Sequence, residues 1–480
     1  MFTKTLEKIN QRFSIGVVVL LATAIISSLF IWIRNDASES EDDIVIWTFA
    51  RHHLEGFKPL IDEWNQAVEQ DNDRFTHARR KARMLVKDAK TIQRQMLSGF
   101  LSDVPTAEIL ILEGSVAPSA WSGPIEAAGL HDLTPLLEQD GLLNAINPPS
   151  LSPWNFQGHQ FGLPHDVHPM LLVYRADIIE AAGIDVSTIE TWDDWFHTLR
   201  PLMKDVDGDG RIDRYLFGFD DVLFPTLSCL YLQAGGSYFN VEGIPTFNNP
   251  LLAQVLAQSA LWLMKPNNTA AIIPWQTGTR TKMIAEGYTL SWLVPDWGAA
   301  SAMREMDLMS GKLKLMPIPA WEPGGRRTSV LGGSMSGITK AHSTTDAELQ
   351  EVWELLKHLL MNKNAALNQY QKFHVISPIR EFWSDPVYDT PIPYFCNQPI
   401  GRMYIEQAPD VPLRPSSPYA NFAQMRCGDA LSQLIQWGES NNVTDRQQLE
   451  AQAVVFINDA YEQTLDQIRR NPFYGLGEAE

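Results

Sequence analysis

From Ile44 onward, short apolar runs alternate with amphipathic stretches, and that alternation predicts an α/β protein. IVIWTFA at 44–50 reads as a buried strand, and Phe57, Leu60, Ile61 and Trp64 follow it at helical spacing. ARMLVK at 82–87 and TIQRQMLSGF at 91–100 repeat the pair of strand and helix, and AEILILEG at 107–114 reads as a third strand. Late in the chain, Thr345 with Glu348 fits a capping box ahead of Leu349, Val352, Trp353, Leu356 and Leu360. Thr444 with Gln447 fits another, ahead of Leu449, Val454, Ile457 and Tyr461.

One stretch breaks the pattern. Ile15 to Ile33 carries no charge and, at about 1.5 Å per residue, spans roughly 28 Å, close to the thickness of a hydrocarbon core. Lys4, Lys8 and Arg12 precede it, whereas Asp36, Glu39, Glu41, Asp42 and Asp43 follow, which places the body outside the cytoplasm. Ala22-Thr23-Ala24 fits a signal-peptidase pattern, but cleavage there would leave Ile25 to Ile33 as an exposed apolar end. The expectation is an uncleaved transmembrane anchor followed by a polar linker at 35–43.

Composition narrows the function. The 480 residues carry a formal net charge of −19, which argues against nucleic-acid partners, since these need clustered Lys and Arg. The 45% hydrophobic and 20% charged shares are those of a globular protein with two or three domains. Cys229, Cys396 and Cys427 form no C-x-x-C pair, so no zinc or redox motif is suggested; Cys396 and Cys427 are either a disulfide or two buried thiols. Fifteen Trp is a high count and suggests an aromatic-lined site.

The most specific local motif is Asp205-Val-Asp207-Gly-Asp209-Gly-Arg-Ile-Asp213. Acidic residues at positions 1, 3, 5 and 9, with Gly at 6, match a calcium loop, but Leu216 stands where the bidentate Glu belongs, so a polar turn is the alternative. His52-His53 and the His165-Asp166-Val-His168 cluster lack a third ligand at metal-binding spacing. Gly332-Gly333-Ser-Met-Ser-Gly337 misses a nucleophile elbow by one residue, and no P-loop or G-x-G-x-x-G is present. Trp47, Asp166, Trp292, Asp296 and Trp297 interleave indoles with carboxylates at predicted strand ends and loops. Indoles cover the apolar face of a pyranose while carboxylates accept from its hydroxyls, so this combination suits a sugar.

Taken in order, IVIWTF, VPTAEILILEG, EAAGLHDLTPLLEQ, FGLPHDVHPMLLVYRADIIEAAGI, TWDDWFHTL, DVDGDGRIDRYLFGF, LQAGGSYFN, MIAEGYTLSW, LMPIPA and VLGGSMSGITK resemble the extracellular solute-binding proteins of ABC transporters, in the carbohydrate-binding group that includes maltose-binding protein. The resemblance runs from Ile44 to the C-terminus. It implies a two-lobed periplasmic-binding-protein-like fold, with 44–164 and 332–378 forming one lobe, 165–331 and 379–480 the other, and a hinge crossed near Pro164, Leu331–Gly332 and His374–Pro378. It also implies a binding protein rather than an enzyme, with no required cofactor beyond a structural calcium ion and with permease subunits of an importer as partners. Ligand contacts would come from Trp47, Arg51, His52 and His53; from Asp166 and His168; from Trp292, Asp296 and Trp297; from Gly332 and Gly333; and from Tyr419 and Phe422. This chain departs from the family pattern in carrying Arg51-His52-His53 where an acidic residue is common, and His168 where maltose binders carry Glu. An extracytoplasmic glycoside hydrolase and a ligand sensor without transport are the alternatives.

Overall fold

The computed structural model describes residues 42–70, 74–102, 106–275 and 278–473. The apolar run at 15–33 lies outside the described residues, and among the described residues no helix is long and apolar enough to cross a membrane.

In chain order the strands are β1 (Ile44–Thr48), β2 (Ala82–Val86), β3 (Ile109–Glu113), the hairpin of β4 (Asn155–Phe156) and β5 (His159–Gln160), β6 (Leu163–Pro164), β7 (Met170–Arg175), β8 (Phe217–Asp220), β9 (Ala270–Ile273), β10 (Ser291–Pro295), β11 (Leu313–Met316) and β12 (Ser334–Ile338). They build two five-stranded sheets, one in the order β2-β1-β3-β12-β6 and the other β11-β7-β10-β8-β9. In the first, β1 to β3 run parallel and β12 runs antiparallel between β3 and β6. In the second, β8, β9 and β10 run parallel and β7 opposes β10 and β11. Each sheet carries its own helices and its own apolar core, so the molecule has two α/β lobes.

The local reasons are legible. Parallel strands are covered on both faces and therefore read as continuous apolar runs, as Ile109 to Leu112 do. The helix Arg51–Gln70 turns Phe57, Leu60, Ile61 and Trp64 onto the first sheet. β1 ends at Thr48, two residues short of the predicted strand, because Ala50 already accepts from the His53 amide in the helix's first turn. The Thr345–Glu348 capping box is present on the helix Asp346–Leu360. The second predicted box is displaced by one residue. Asp445 caps the helix Arg446–Arg469 by accepting from the Gln448 amide, since a carboxylate is a stronger acceptor than a hydroxyl. Leu449 and Ile457 are buried as expected, while Val454 faces solvent.

The chain passes between the sheets through 165–169 and again between β11 and β12, where Pro169 and Val330 form an antiparallel bridge. A third passage follows the helices Asp346–Leu360 and Lys363–Phe373, which pack on Arg51–Gln70, and leads through His374 to the helix Ile400–Gln407 beside β7. The helices Ala420–Asn441 and Arg446–Arg469 then close over Pro250–Leu263 in the second lobe.

Two sequence alternatives are decided here. All three cysteines are free, Cys229 and Cys427 buried and Cys396 in a half-buried turn, so no Cys396–Cys427 disulfide forms. Ser336 lies mid-strand in β12, with Gly337 and Ile338 continuing the pairing to β3, so the Gly332–Gly337 segment is not an elbow between strand and helix.

Candidate functional site

The carboxyl ends of β1, β2 and β3 carry Trp47, Lys87 and Glu113 to the edge of the first lobe, where open α/β sheets place their ligands. Trp47 is 7% exposed and is covered by the Lys87 ammonium, 3.4 Å from the ring centroid. Glu113 is half-buried, and burial raises its pKa. Immediately after it, the Gly114 amide donates to the Gly333 carbonyl at 2.8 Å, tying β3 to the second crossing.

The crossing after β6 holds the densest polar cluster. His168, in the left-handed region at φ 55°, contacts Asp166 through Nε2, and its Nδ1 lies 3.5 Å from an oxygen of Asp296 at the start of the helix Asp296–Glu305. All three residues are buried. Burial alone would push the imidazole down, but attraction to Asp166 and Asp296 outweighs it and raises its pKa to about 9. The same pairing holds Asp166 below the usual carboxylate range in spite of its burial.

On the other side of this crossing, His52, His53 and His165 gather with ring centroids 4.3 and 4.7 Å apart, edge to face. His53 Nδ1 shares a 2.7 Å hydrogen bond with the Thr48 hydroxyl, and His165 Nε2 shares one of 2.9 Å with the Gln369 amide oxygen. Burial, then repulsion from His165, lowers His52 to about 4 and holds His53 well below its ordinary value. Their ligand atoms do not converge as a metal trio. Among the described residues that convergence is found only at Asp205, Asp207 and Asp209, whose carboxylates come within 4.8 Å of one another. Those carboxylates, half-buried at Asp205 and exposed at the other two, also accept from loop amides, whereas Asp213 accepts from the Val206 and Asp207 amides.

Gly332 and Gly333, at φ 88° and 119°, make the second crossing. A Cβ on Gly332 would lie 3.0 Å from Trp297 Nε1, and one on Gly333 would lie 3.1 Å from the Trp154 ring, so both the backbone conformation and the space require glycine. Trp297 is partly exposed, donates from Nε1 to the Leu331 carbonyl at 3.4 Å, and meets Trp275 edge-on at 6.3 Å. Arg414 reaches the same turn and donates to the Gly332 carbonyl at 2.8 Å.

The structure thus brings His52, His53, Asp166, His168, Asp296, Trp297, Gly332 and Gly333 around one junction between the lobes. Trp292 is elsewhere: it lies within β10, is 4% exposed and packs in the second lobe's core under Arg280. Arg51 is exposed and pairs loosely with Glu55. Tyr419 is buried and accepts from Asn471, which also donates to the Ser122 carbonyl of the first lobe, while Phe422 stacks under Arg426. Glu113, Trp154, Trp275 and Arg414 were missed. Glu113 had a signal, as a carboxylate next to the end of the predicted strand 107–114; Arg414 had none. A separate cavity of about 840 Å³ opens at the β11 edge between Glu180, Lys314, Arg327 and Cys396, and none of the junction residues lines it.

The family model described as bacterial extracellular solute-binding protein matches residues 95–366. An arabinooligosaccharide-binding protein of Halalkalibacterium halodurans is 23% identical over 369 residues, covering 74% of this chain and 75% of its own. One of Bacillus subtilis is 25% identical over 319 residues, covering 64% and 67%. Among solved structures, the cyclic alpha-maltosyl-1,6-maltose binding protein of Arthrobacter globiformis superposes with a TM-score of 0.67 at 15% identity, over 88% of this chain and 99% of its own.

Proposed function

The chain belongs to the bacterial extracellular solute-binding proteins, and from that premise we propose that it captures a carbohydrate between its lobes and delivers it to the permease of an ABC importer. The observation that carries this reading is the junction itself. Glu113 and Trp154 approach it from one lobe, Asp296, Trp297 and Trp275 from the other, and the polar crossing Asp166–His168 lies between them. A solute touching both sides favours the closed arrangement, so binding is a population shift between open and closed lobes. The oligosaccharide ligands named for the two bacterial relatives support the solute class.

The hydrolase alternative has less support, because Asp166 and Asp296 both face His168 and neither is free to act as a general acid. The family places the body outside the cytoplasm. We further propose that the run at 15–33 holds it to the membrane, which predicts full-length protein in the membrane fraction with its N-terminus intact. The Asp205–Asp209 loop is proposed as a weak calcium site.

Titration calorimetry of the full-length protein against arabino-, malto- and xylo-oligosaccharides and uronic-acid oligosaccharides tests the reading. Saturable binding of at least one, with compaction in small-angle scattering, is expected. Absence of binding to every carbohydrate would overturn it.

A further inference from the structure

The junction carries cations that the protein leaves without carboxylate partners. Arg414 arrives on the segment between the helices Ile400–Gln407 and Ala420–Asn441 and is held at its backbone amide by the Ser152 hydroxyl at 3.1 Å. Its NH1 is committed to the Gly332 carbonyl, its Nε is enclosed without a hydrogen-bond partner, and among the described residues it makes no ion pair. NH2 lies against Gly333, next to the His168 ring and Trp154. Burial lowers the guanidinium's pKa to about 10, which still leaves it charged at neutral pH.

Arginine can be neutralised by a neighbouring carboxylate, but the negative charge nearest in effect, Asp166, is already bound to His168. Nearby, the exposed Arg304 hydrogen-bonds, among the described residues, only to the Ser301 hydroxyl, although its charge is felt by both His52 and His374. Lys87 sits over Trp47 and donates to the neutral amide of Gln95. Glu113 stands at the same lobe edge, half-buried, and burial raises its pKa. Surplus cations here do not follow from composition, since the whole chain carries a net charge of −19. A charge half-removed from water and left unpaired is costly, and an anionic ligand group would offset that cost on binding.

We propose that the solute taken between the lobes is an acidic carbohydrate, a uronic-acid-containing oligosaccharide whose carboxylate is received by Arg414. The inference rests on the carbohydrate reading above and narrows it. Trp297 and Trp275 would contact the sugar faces, and Arg414 would distinguish the charged from the neutral chain. A charge-assisted hydrogen bond is about twice as strong as a neutral one, which gives Arg414 the larger part in that discrimination.

The test uses full-length protein with matched probes: trigalacturonate, a glucuronate-capped xylotriose, the methyl ester of each, arabinotriose and glucose 1-phosphate. Each acid should bind about tenfold or more tighter than its ester, a gap of about 1.4 kcal/mol, and the gap should narrow in about 0.5 M salt because screening weakens the charge contact. Arg414→Gln should abolish the gap, and Arg414→Lys should restore part of it. Arg304→Gln should narrow it less. The salt comparison needs only the wild-type chain, so it tests the preference for the acid even if Arg414→Gln does not fold, and Arg414→Lys then tests the assignment to Arg414.

Equal affinity for acid and ester, or binding of arabinotriose with neither acid bound, would overturn the inference and leave the carbohydrate reading standing. Tighter binding of glucose 1-phosphate than of either acid would overturn the uronate assignment. Failure of every sugar to bind would remove the carbohydrate reading and the inference with it.

Discussion

His165 and His168 stand three residues apart in one crossing, yet they belong to two differently built groups. Toward the first lobe, His53 packs against His52, His165 and Phe57 and bonds to neutral partners, and it is held unprotonated. Toward the second lobe, His168 is just as buried but has Asp166 on one ring nitrogen and Asp296 near the other, and it is held protonated. Burial is common to both, so neighbouring charges separate them: carboxylates face His168, whereas other imidazoles face His53. The difference teaches that this crossing holds a protonated imidazole by pairing it with two carboxylates, Asp166 from the crossing itself and Asp296 from the second lobe.

The largest effect should come from breaking the charged group. His168→Ala leaves two buried carboxylates facing each other and should cost about 3–5 kcal/mol in urea unfolding; a loss under about 1 kcal/mol would mean that the group is not charged as described. The indoles sharpen the contrast between core and junction. Trp292→Ala should cost about 3 kcal/mol of stability, whereas Trp297→Ala should spare stability and lower solute affinity by about ten- to a hundredfold. Equal behaviour of the two variants in paired melting and calorimetry would erase that distinction.

The neutral group should be more forgiving. His53→Ala removes a packed ring and the Thr48 hydroxyl's partner, for a loss of about 2 kcal/mol, and His53→Phe should recover most of the packing part.

The pH dependence separates the groups by sign. His168, raised to about 9, contributes stability that is complete below the ordinary histidine pKa of 6.5 and is lost as pH rises through 9. His52 and His374, lowered to about 4, contribute stability present above 6.5 and lost as pH falls through 4. The melting temperature should therefore peak near pH 6.5, and an Asp296→Asn variant should lose stability less steeply on the alkaline side. Smallest of all, calcium at its dissociation constant should stabilise the Asp205–Asp209 loop by only about 0.4 kcal/mol, seen as a slight upward shift in melting against chelator.

Much of this could be read in advance. The strands β1, β2 and β3 and the Thr345 cap rest on local pattern and lie within two residues of expectation, and the helix Arg51–Gln70 buries the four apolar residues whose spacing predicted it. Asp166, Asp296 and Gly332 were recognisable because the segments around them resemble a known family. Trp292 shows the limit of that method: its neighbours Asp296 and Trp297 reach the junction, but four residues before Asp296 the strand β10 runs through the core.

What the chain's order of residues determined alone was whatever depends on neighbours within a turn or a strand: the alternation that reads as α/β, the caps, and the net charge that argues against nucleic-acid partners. Which histidine holds a proton, and that Arg414 ends without a carboxylate, only the tertiary structure decided. Both depend on distances among residues 48–53, 166–168, 296, 332–333 and 414, segments far apart along the chain that meet only when the lobes pack across the crossings. Electrostatic and desolvation energies are set by those distances and by burial, and neither is a property of local sequence.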